Sequence, residues 1–188
     1  MATFRTSQAV SRADATVPHL ILVGLPGSGK STVGAAVAAE LGRSFLDFDV
    51  EIERREHTTI AEIFAAKGEG HFRELERRLT EELRGTGNAV LAPGGGWIAN
   101  PGCMEALRPP ATVIYLQVDP ERALKRMAAA AAARPLLRRP DPLGELQKIL
   151  DARKSLYVLA DHTVRVDFVR EKEVVATIVA IARAERAD

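Results

Sequence analysis

A three-layer α/β/α fold around a five-stranded, all-parallel sheet is predicted by three observations. Short apolar runs alternate with helically spaced apolar residues along the chain, the pattern of repeated strand–helix units. The first run, His19-Leu20-Ile21-Leu22-Val23, is too short and too branched for a helix and reads as a buried central strand. It passes directly into the glycine-rich stretch Gly24 to Gly29, which in turn opens the first helical pattern.

Taken in order, Val33 to Leu41 carries Ala, Val and Leu at helical spacing and stops at Gly42, a C-cap residue. A second strand is predicted over Ser44 to Phe48. Thr59 with Glu62 forms a capping box for a short helix to Lys67, and a longer charged helix runs from Gly70 to Arg84 before Gly85-Thr86-Gly87-Asn88 breaks it. Ala89 to Ala92 and Thr112 to Val118 are the next strands. The helix after them opens Asp119-Pro120-Glu121, with Asp as N-cap and Pro in the first helical position. Six alanines, Ala128 to Ala133, lead into Arg134-Pro135-Leu136-Leu137-Arg138-Arg139-Pro140, read as a mobile cationic flap because prolines break the helix there. Asp141-Pro142 restarts a helix through Leu159, Thr163 to Asp167 alternates as the fifth strand, and Glu171 to Arg183 closes the chain amphipathically.

The 188 residues fit a single domain, 18–188, behind a flexible tail, 1–17, with the flap as a lid at about 128–140. The tail's Arg/Ser bias is also found in transit peptides, but so short a stretch of that composition is common at loose termini. A net charge of +1 with 27% charged and 46% hydrophobic residues excludes a generally basic nucleic-acid binder and a disordered acidic chain. One cysteine, Cys103, allows no internal disulfide, and no stretch approaches the roughly 18 consecutive apolar residues of a membrane span. A cytoplasmic monomer with no nucleic-acid or membrane partner is expected. The four histidines are scattered without metal spacing, so no zinc is expected, and Cys103 is read as a packed thiol.

Gly24-Leu25-Pro26-Gly27-Ser28-Gly29-Lys30-Ser31 is G-x-x-x-x-G-K-[ST], placed after a strand and before a helix. Glycines let backbone N–H groups face a triphosphate, the helix N-terminus adds positive potential, Lys30 reaches the outer phosphates and Ser31 ligates Mg²⁺. The loop says nucleotide, without separating small-molecule kinase, GTPase and motor. Asp47-Phe48-Asp49 at the end of the second strand sends two carboxylates to one face by period-two alternation. One can hold hydrated Mg²⁺ and the other accept a hydroxyl, although an isolated D-x-D is as readily a solvated strand end. Gly94-Gly95-Gly96 after a strand permits close approach of a ligand or is a plain loop. Arg73 and Glu76, at i and i+3, form either an anion-binding pair or an ordinary exposed one.

In this order the motifs resemble the shikimate kinase family, within the nucleoside-monophosphate-kinase-like P-loop group. The resemblance runs from His19 to Ala182 and rests on G-L-P-G-S-G-K-S, D-F-D at Asp47 to Asp49, F-R-E-L-E at Phe72 to Glu76, G-G-G at Gly94 to Gly96, R-P-L-L at Arg134 to Leu137 and R-x-x-x-Y at Arg153 to Tyr157. It implies a P-loop kinase fold and transfer of the γ-phosphoryl of Mg-ATP to the 3-hydroxyl of shikimate, on the route to chorismate and aromatic amino acids. It implies that Asp49, Arg73, Gly94, Gly95, Gly96 and Arg153 hold shikimate. ATP is implied to lie on Gly27, Ser28, Gly29, Lys30, Ser31, Thr32, Arg126, Arg134 and Arg170, with Asp47 reaching Mg²⁺ through water. Lys30, Asp49 and Arg134 are the implied catalytic set, Arg134 approaching the transferring phosphate from the lid.

The chain departs from the family pattern at Pro93 and Trp97, which flank the glycines, and in the polyalanine before Arg134. Trp97 is either a lining residue that reshapes the floor of the acid site or an indole packed in the core beneath it. Two other readings remain open at this level: a ligand-sensing module that keeps the fold without turnover, and a related kinase acting on gluconate or a nucleotide.

Overall fold

The computed structural model describes residues 17–129, 137 and 139–185. Five strands, β1 (Leu20–Val23), β2 (Ser44–Asp47), β3 (Ala89–Ala92), β4 (Thr112–Gln117) and β5 (His162–Arg165), form one parallel sheet in the order β2-β3-β1-β4-β5. Seven α-helices among the described residues cover it: α1 (Lys30–Leu41), α2 (Phe48–Glu56), α3 (Ile60–Leu83), α4 (Cys103–Leu107), α5 (Pro120–Ala129), α6 (Pro142–Tyr157) and α7 (Glu171–Ala184). None is long and apolar enough to cross a membrane.

The central strands β1, β3 and β4 are buried on both faces, and their side chains alternate between two cores. Leu20, Leu22, Ile114 and Leu116 point to the layer of α1, α5 and α7, where Val37, Ala123 and Ile178 meet them. Ile21, Val23, Val113 and Tyr115 point to the layer of α2, α3 and α4. Central parallel strands buried on both faces read as continuous apolar runs, which is why β1 and β4 show no polar alternation. Tyr157, at the end of α6, stacks on Tyr115 of β4 with ring centroids 4.5 Å apart and planes 3° from parallel, tying that helix under the sheet.

Two helices were not expected from the sequence, α4 and α2. The second strand ends at Asp47, and Asp49 lies in the first turn of a helix that apolar spacing did not reveal. Asp47 is its N-cap, its carboxylate accepting from the N–H groups of Asp49 at 3.0 Å and Val50 at 3.4 Å. The two helices expected on either side of Gly68 are present within α3, with Gly68 at φ 78°, ψ 171° as the non-helical kink between them. The Thr59–Glu62 capping box at its start is present as expected.

Trp97 opens a single 3₁₀ turn, Trp97–Ala99, directly after the glycine triplet. Its ring is fully buried in the second core, edge-on to Phe48 at 6.3 Å, with Nε1–H donating to Thr80 Oγ1 at 2.8 Å. The indole is therefore a core residue beneath the loop and does not line the open cleft. As Trp97 is the only tryptophan, the native protein is expected to show short-wavelength emission and little quenching by acrylamide, both reverting to solvent-exposed values in denaturant. Ready quenching of the native protein would contradict this placement.

Candidate functional site

Because all five strands run the same way, the loops after β1, β2 and β3 emerge at one edge of the sheet. Between them lies a cleft of about 1180 Å³, lined among others by Lys30, Asp47, Asp49, Gly94, Gly95 and Arg126.

The loop Gly24 to Gly29 forms one wall. Gly27 has φ +82°, and a Cβ there would stand 2.5 Å from the carbonyl oxygen of Ala123 on α5, so both backbone conformation and space require glycine. Gly29, in the left-handed region, is the N-cap of α1 and offers no capping side chain, leaving the first N–H groups of the helix directed at the cleft. Lys30 Nζ crosses the loop and donates to the carbonyls of Gly24 at 2.9 Å and Leu25 at 3.0 Å. Ser28, Ser31 and Thr32 complete this wall.

Ser31 Oγ–H donates to Asp47 Oδ2 at 2.5 Å. A hydroxyl and a carboxylate oxygen side by side at the mouth of a phosphate loop fit Mg²⁺, which keeps most of its waters and takes only one or two protein oxygens. Among the described residues no cluster of three or more His, Cys, Asp or Glu forms a closed metal cage.

The opposite wall is the glycine triplet, and each glycine faces a different charged group. A Cβ at Gly94 would lie 2.8 Å from Asp49 Oδ1 and 3.0 Å from Glu76 Oε1. The carbonyl of Gly95 accepts from Arg153 Nη1 at 2.7 Å. A Cβ at Gly96 would fall 2.3 Å from both Nη atoms of Arg73. Gly94 and Gly96 therefore leave little room for a side chain, because the Asp49 and Glu76 carboxyl groups and the Arg73 guanidinium close over their backbone.

Arg73 and Glu76 stand one turn apart on α3, Nη1 donating to Glu76 Oε2 at 2.7 Å, while Nη2 donates to Glu69 at 2.6 Å. Glu76 has no solvent exposure. Its burial pushes the carboxyl up to about 7, with Arg73 pulling the other way. Asp49 is pushed up to about 6, first by burial and then by Asp47, against the pull of Lys30. Sequence spacing identified Arg73 with Glu76 but gave no sign that the glutamate is buried.

Arg126, on α5, spans the far end of the cleft, donating to the carbonyls of Val166 and, at 3.5 Å, Ser28. Val166, Val169, Glu171 and Val174 line that end; none was singled out in the sequence, since single apolar residues beside a strand carry no motif. Arg170 is exposed and pairs with Glu173 at the start of α7 rather than lining the cleft. Arg134 and most of the expected lid lie outside the described residues.

The raised pKa of Glu76 has a consequence for stability. An unfolded glutamate loses its proton near 4.5, whereas the folded one keeps it to about 7. Between those values the native state binds more protons, so stability falls as pH rises, by up to about 3 kcal/mol from this group. Urea unfolding at pH 5 and 7.5 is expected to show a smaller fall in Glu76→Gln than in wild type. An equal fall in both proteins would show that Glu76 titrates normally.

Comparison with known proteins gives a consistent result. A shikimate kinase family profile matches residues 26–183. The chain is 42% identical over 150 residues to a shikimate kinase of Mycobacterium avium, covering 80% of this chain and 84% of that one. It is 39% identical over 161 residues to a shikimate kinase of Rhodopseudomonas palustris, covering 86% and 79%. Among solved structures, a shikimate kinase from Acinetobacter baumannii in complex with shikimate superposes with a TM-score of 0.84 at 35% identity, over 94% of this chain and 99% of that one.

Proposed function

As a member of the shikimate kinase family the chain is a kinase that uses ATP to phosphorylate shikimate, and we propose that its cleft divides the two substrates between the glycine loop and the glycine triplet. The observation that carries this division is the convergence of Asp49, Arg73 and Arg153 on Gly94–Gly96, across the cleft from Lys30 and Ser31.

On the nucleotide side, the N–H groups of Gly27 to Thr32 cradle the phosphates, and Lys30 turns from the loop carbonyls to the outer phosphate oxygens. Arg126 lies against the base, with Val166 and Val174 as its apolar bed. Arg170 flanks the base from the start of α7 once it leaves Glu173. Ser31 and Asp47 would hold Mg²⁺, Asp47 through water, and bound there it would supply positive charge against the outer phosphates.

On the acid side, two guanidinium groups on different helices suit one carboxylate, each through charge-assisted hydrogen bonds. The triplet's backbone lies against the ring, as only glycine permits. Asp49 accepts the hydrogen bond of the 3-hydroxyl and takes its proton as the new O–P bond forms. The bond from the γ-phosphorus to its bridging oxygen breaks, and its electron pair leaves on ADP. A carboxylate whose pKa is lifted to about 6 is ionised at neutral pH yet a better proton acceptor than an aspartate at its ordinary pKa. Catalysis is then positioning and charge neutralisation, with no covalent intermediate.

A coupled ADP-release assay across shikimate, gluconate and nucleoside monophosphates tests this reading, with turnover expected on shikimate alone. Lys30→Ala is expected to abolish it, and full activity in that variant would overturn the assignment of the loop. Arg73→Ala and Arg153→Ala each remove a charged contact worth about 1.5 to 3 kcal/mol, so the KM for shikimate is expected to rise about 10- to 100-fold with that for ATP nearly unchanged. An equal loss of ATP affinity would mean that these arginines serve the other ligand.

A further inference from the structure

The acid clamp is held from behind by residues that touch no substrate in the reading above, and Trp97 is at their centre. Arg73 and Glu76 lie on α3, Asp49 on α2, and the glycines on the loop after β3, so the clamp depends on three elements keeping their spacing. Trp97 follows the triplet directly and contacts both of the others. Its Nε1–H donates to Thr80 Oγ1 at 2.8 Å, and Thr80 Oγ1–H donates in turn to the backbone carbonyl of Glu76 at 2.7 Å. Its ring meets the edge of Phe48, the residue between Asp47 and Asp49. Three residues further on, Asn100 Nδ2 donates to the backbone carbonyl of Arg73 at 2.8 Å. The turn after the triplet is thus fastened to α3 at Glu76 through Thr80 and at Arg73 through Asn100.

The fastening is made in a dry site. Trp97 is fully buried and Thr80 is 1% exposed, so an indole N–H without its acceptor, or a threonine hydroxyl without its donor, has no water to turn to. Phe72, Glu76 and Thr80 form one buried stripe of α3 at four-residue spacing. A shift of Thr80 therefore moves Glu76 and the Arg73 guanidinium that it holds. The Arg73 guanidinium lies directly against Gly96, where a Cβ would fall 2.3 Å from both Nη atoms, so a small displacement of α3 changes how the guanidinium meets a carboxylate. The indole thus has a specific acceptor 17 residues upstream, on a different element.

We propose that Trp97, through Thr80, is a positioning residue for the shikimate clamp, setting the distance between α3 and the glycine triplet. The proposal rests on the assignment of Arg73 and Gly94–Gly96 to the acid side. It distinguishes Trp97 from an ordinary core aromatic, which would affect how much protein is folded without favouring one substrate over the other.

Three single variants, one double variant and three measurements test it. Thr80→Val removes the acceptor at nearly constant volume, Trp97→Phe removes the donor while keeping a ring against Phe48, and Thr80→Ser restores the hydroxyl. In the ADP-release assay, Thr80→Val and Trp97→Phe are expected to raise the KM for shikimate about five- to tenfold with the KM for ATP within about twofold of wild type. Thr80→Ser is expected to return to the wild-type value. The double variant Trp97→Phe/Thr80→Val is expected to be no worse than the more impaired single one, since both break one contact. Trp97 emission is expected to shift in Thr80→Val and to recover in Thr80→Ser, and urea midpoints measure the folded fraction at assay conditions. An unchanged KM for shikimate in both variants, an equal rise for both substrates, or a failure of both variants to fold would assign Trp97 a structural role only. Wild-type protein that releases no ADP with shikimate would instead overturn the functional reading itself, and the positioning role with it.

Discussion

The common direction of the five strands is the constraint on which the site depends. In a parallel sheet each strand hands the chain to a loop at the same edge, and the return through a helix keeps the other edge out of the chemistry. Here those loops carry the phosphate-binding glycines after β1, the Asp47 cap after β2 and the glycine triplet after β3. Reversing β2 or β3 would put its carboxylates or glycines at the opposite edge. No local feature of the motifs compensates for that, so the apolar strand interiors, which never touch a substrate, determine whether the motifs meet.

Within that frame the charges are arranged at different depths. Lys30, Ser31 and Asp47 sit at the cleft surface, where phosphate and metal exchange with water. Glu76 is fully buried, and Asp49 faces the cleft among other charged groups; desolvation outweighs their cationic neighbours in setting their protonation. The Arg73–Glu76 pair is therefore poor as a source of stability but good at holding a guanidinium in one orientation, since the glutamate has no alternative place to go. The second guanidinium is held differently: Arg153 is carried by a helix anchored through the Tyr157–Tyr115 stack and leans on the carbonyl of Gly95.

Much of this was legible in the residues. The five strands and the phosphate loop follow from branched apolar runs and glycine spacing, and the family from six motifs in order. The helix α2 was hidden because Asp47-Phe48-Asp49 continues the strand's alternation, and only the cap geometry of Asp47 shows that the chain has turned. Gly68 was legible as the break between two helices, and it is the kink of α3, with Ile63 before it and Phe72 after it both buried in the second core. The depth of Glu76 was not legible at all. An F-R-E-L-E stretch is mostly polar, and only the arrival of Trp97 and the triplet from the next strand encloses it.

The strand order also bears on how the enzyme comes into being. β1, the first strand, pairs only with β3 and β4, and β2 pairs only with β3. The phosphate loop is thus made early in synthesis but has no sheet to stand on until Ala89–Ala92 has left the ribosome, after which β1 and β2 are joined in one step. Pairing across so long a separation delays folding, because the loop must close before any contact rewards it. Until then the nascent chain carries two apolar strands without partners, the state most open to association with other chains. Nucleotide binds only the assembled edge, so ATP in the cell draws the equilibrium toward the finished sheet by mass action.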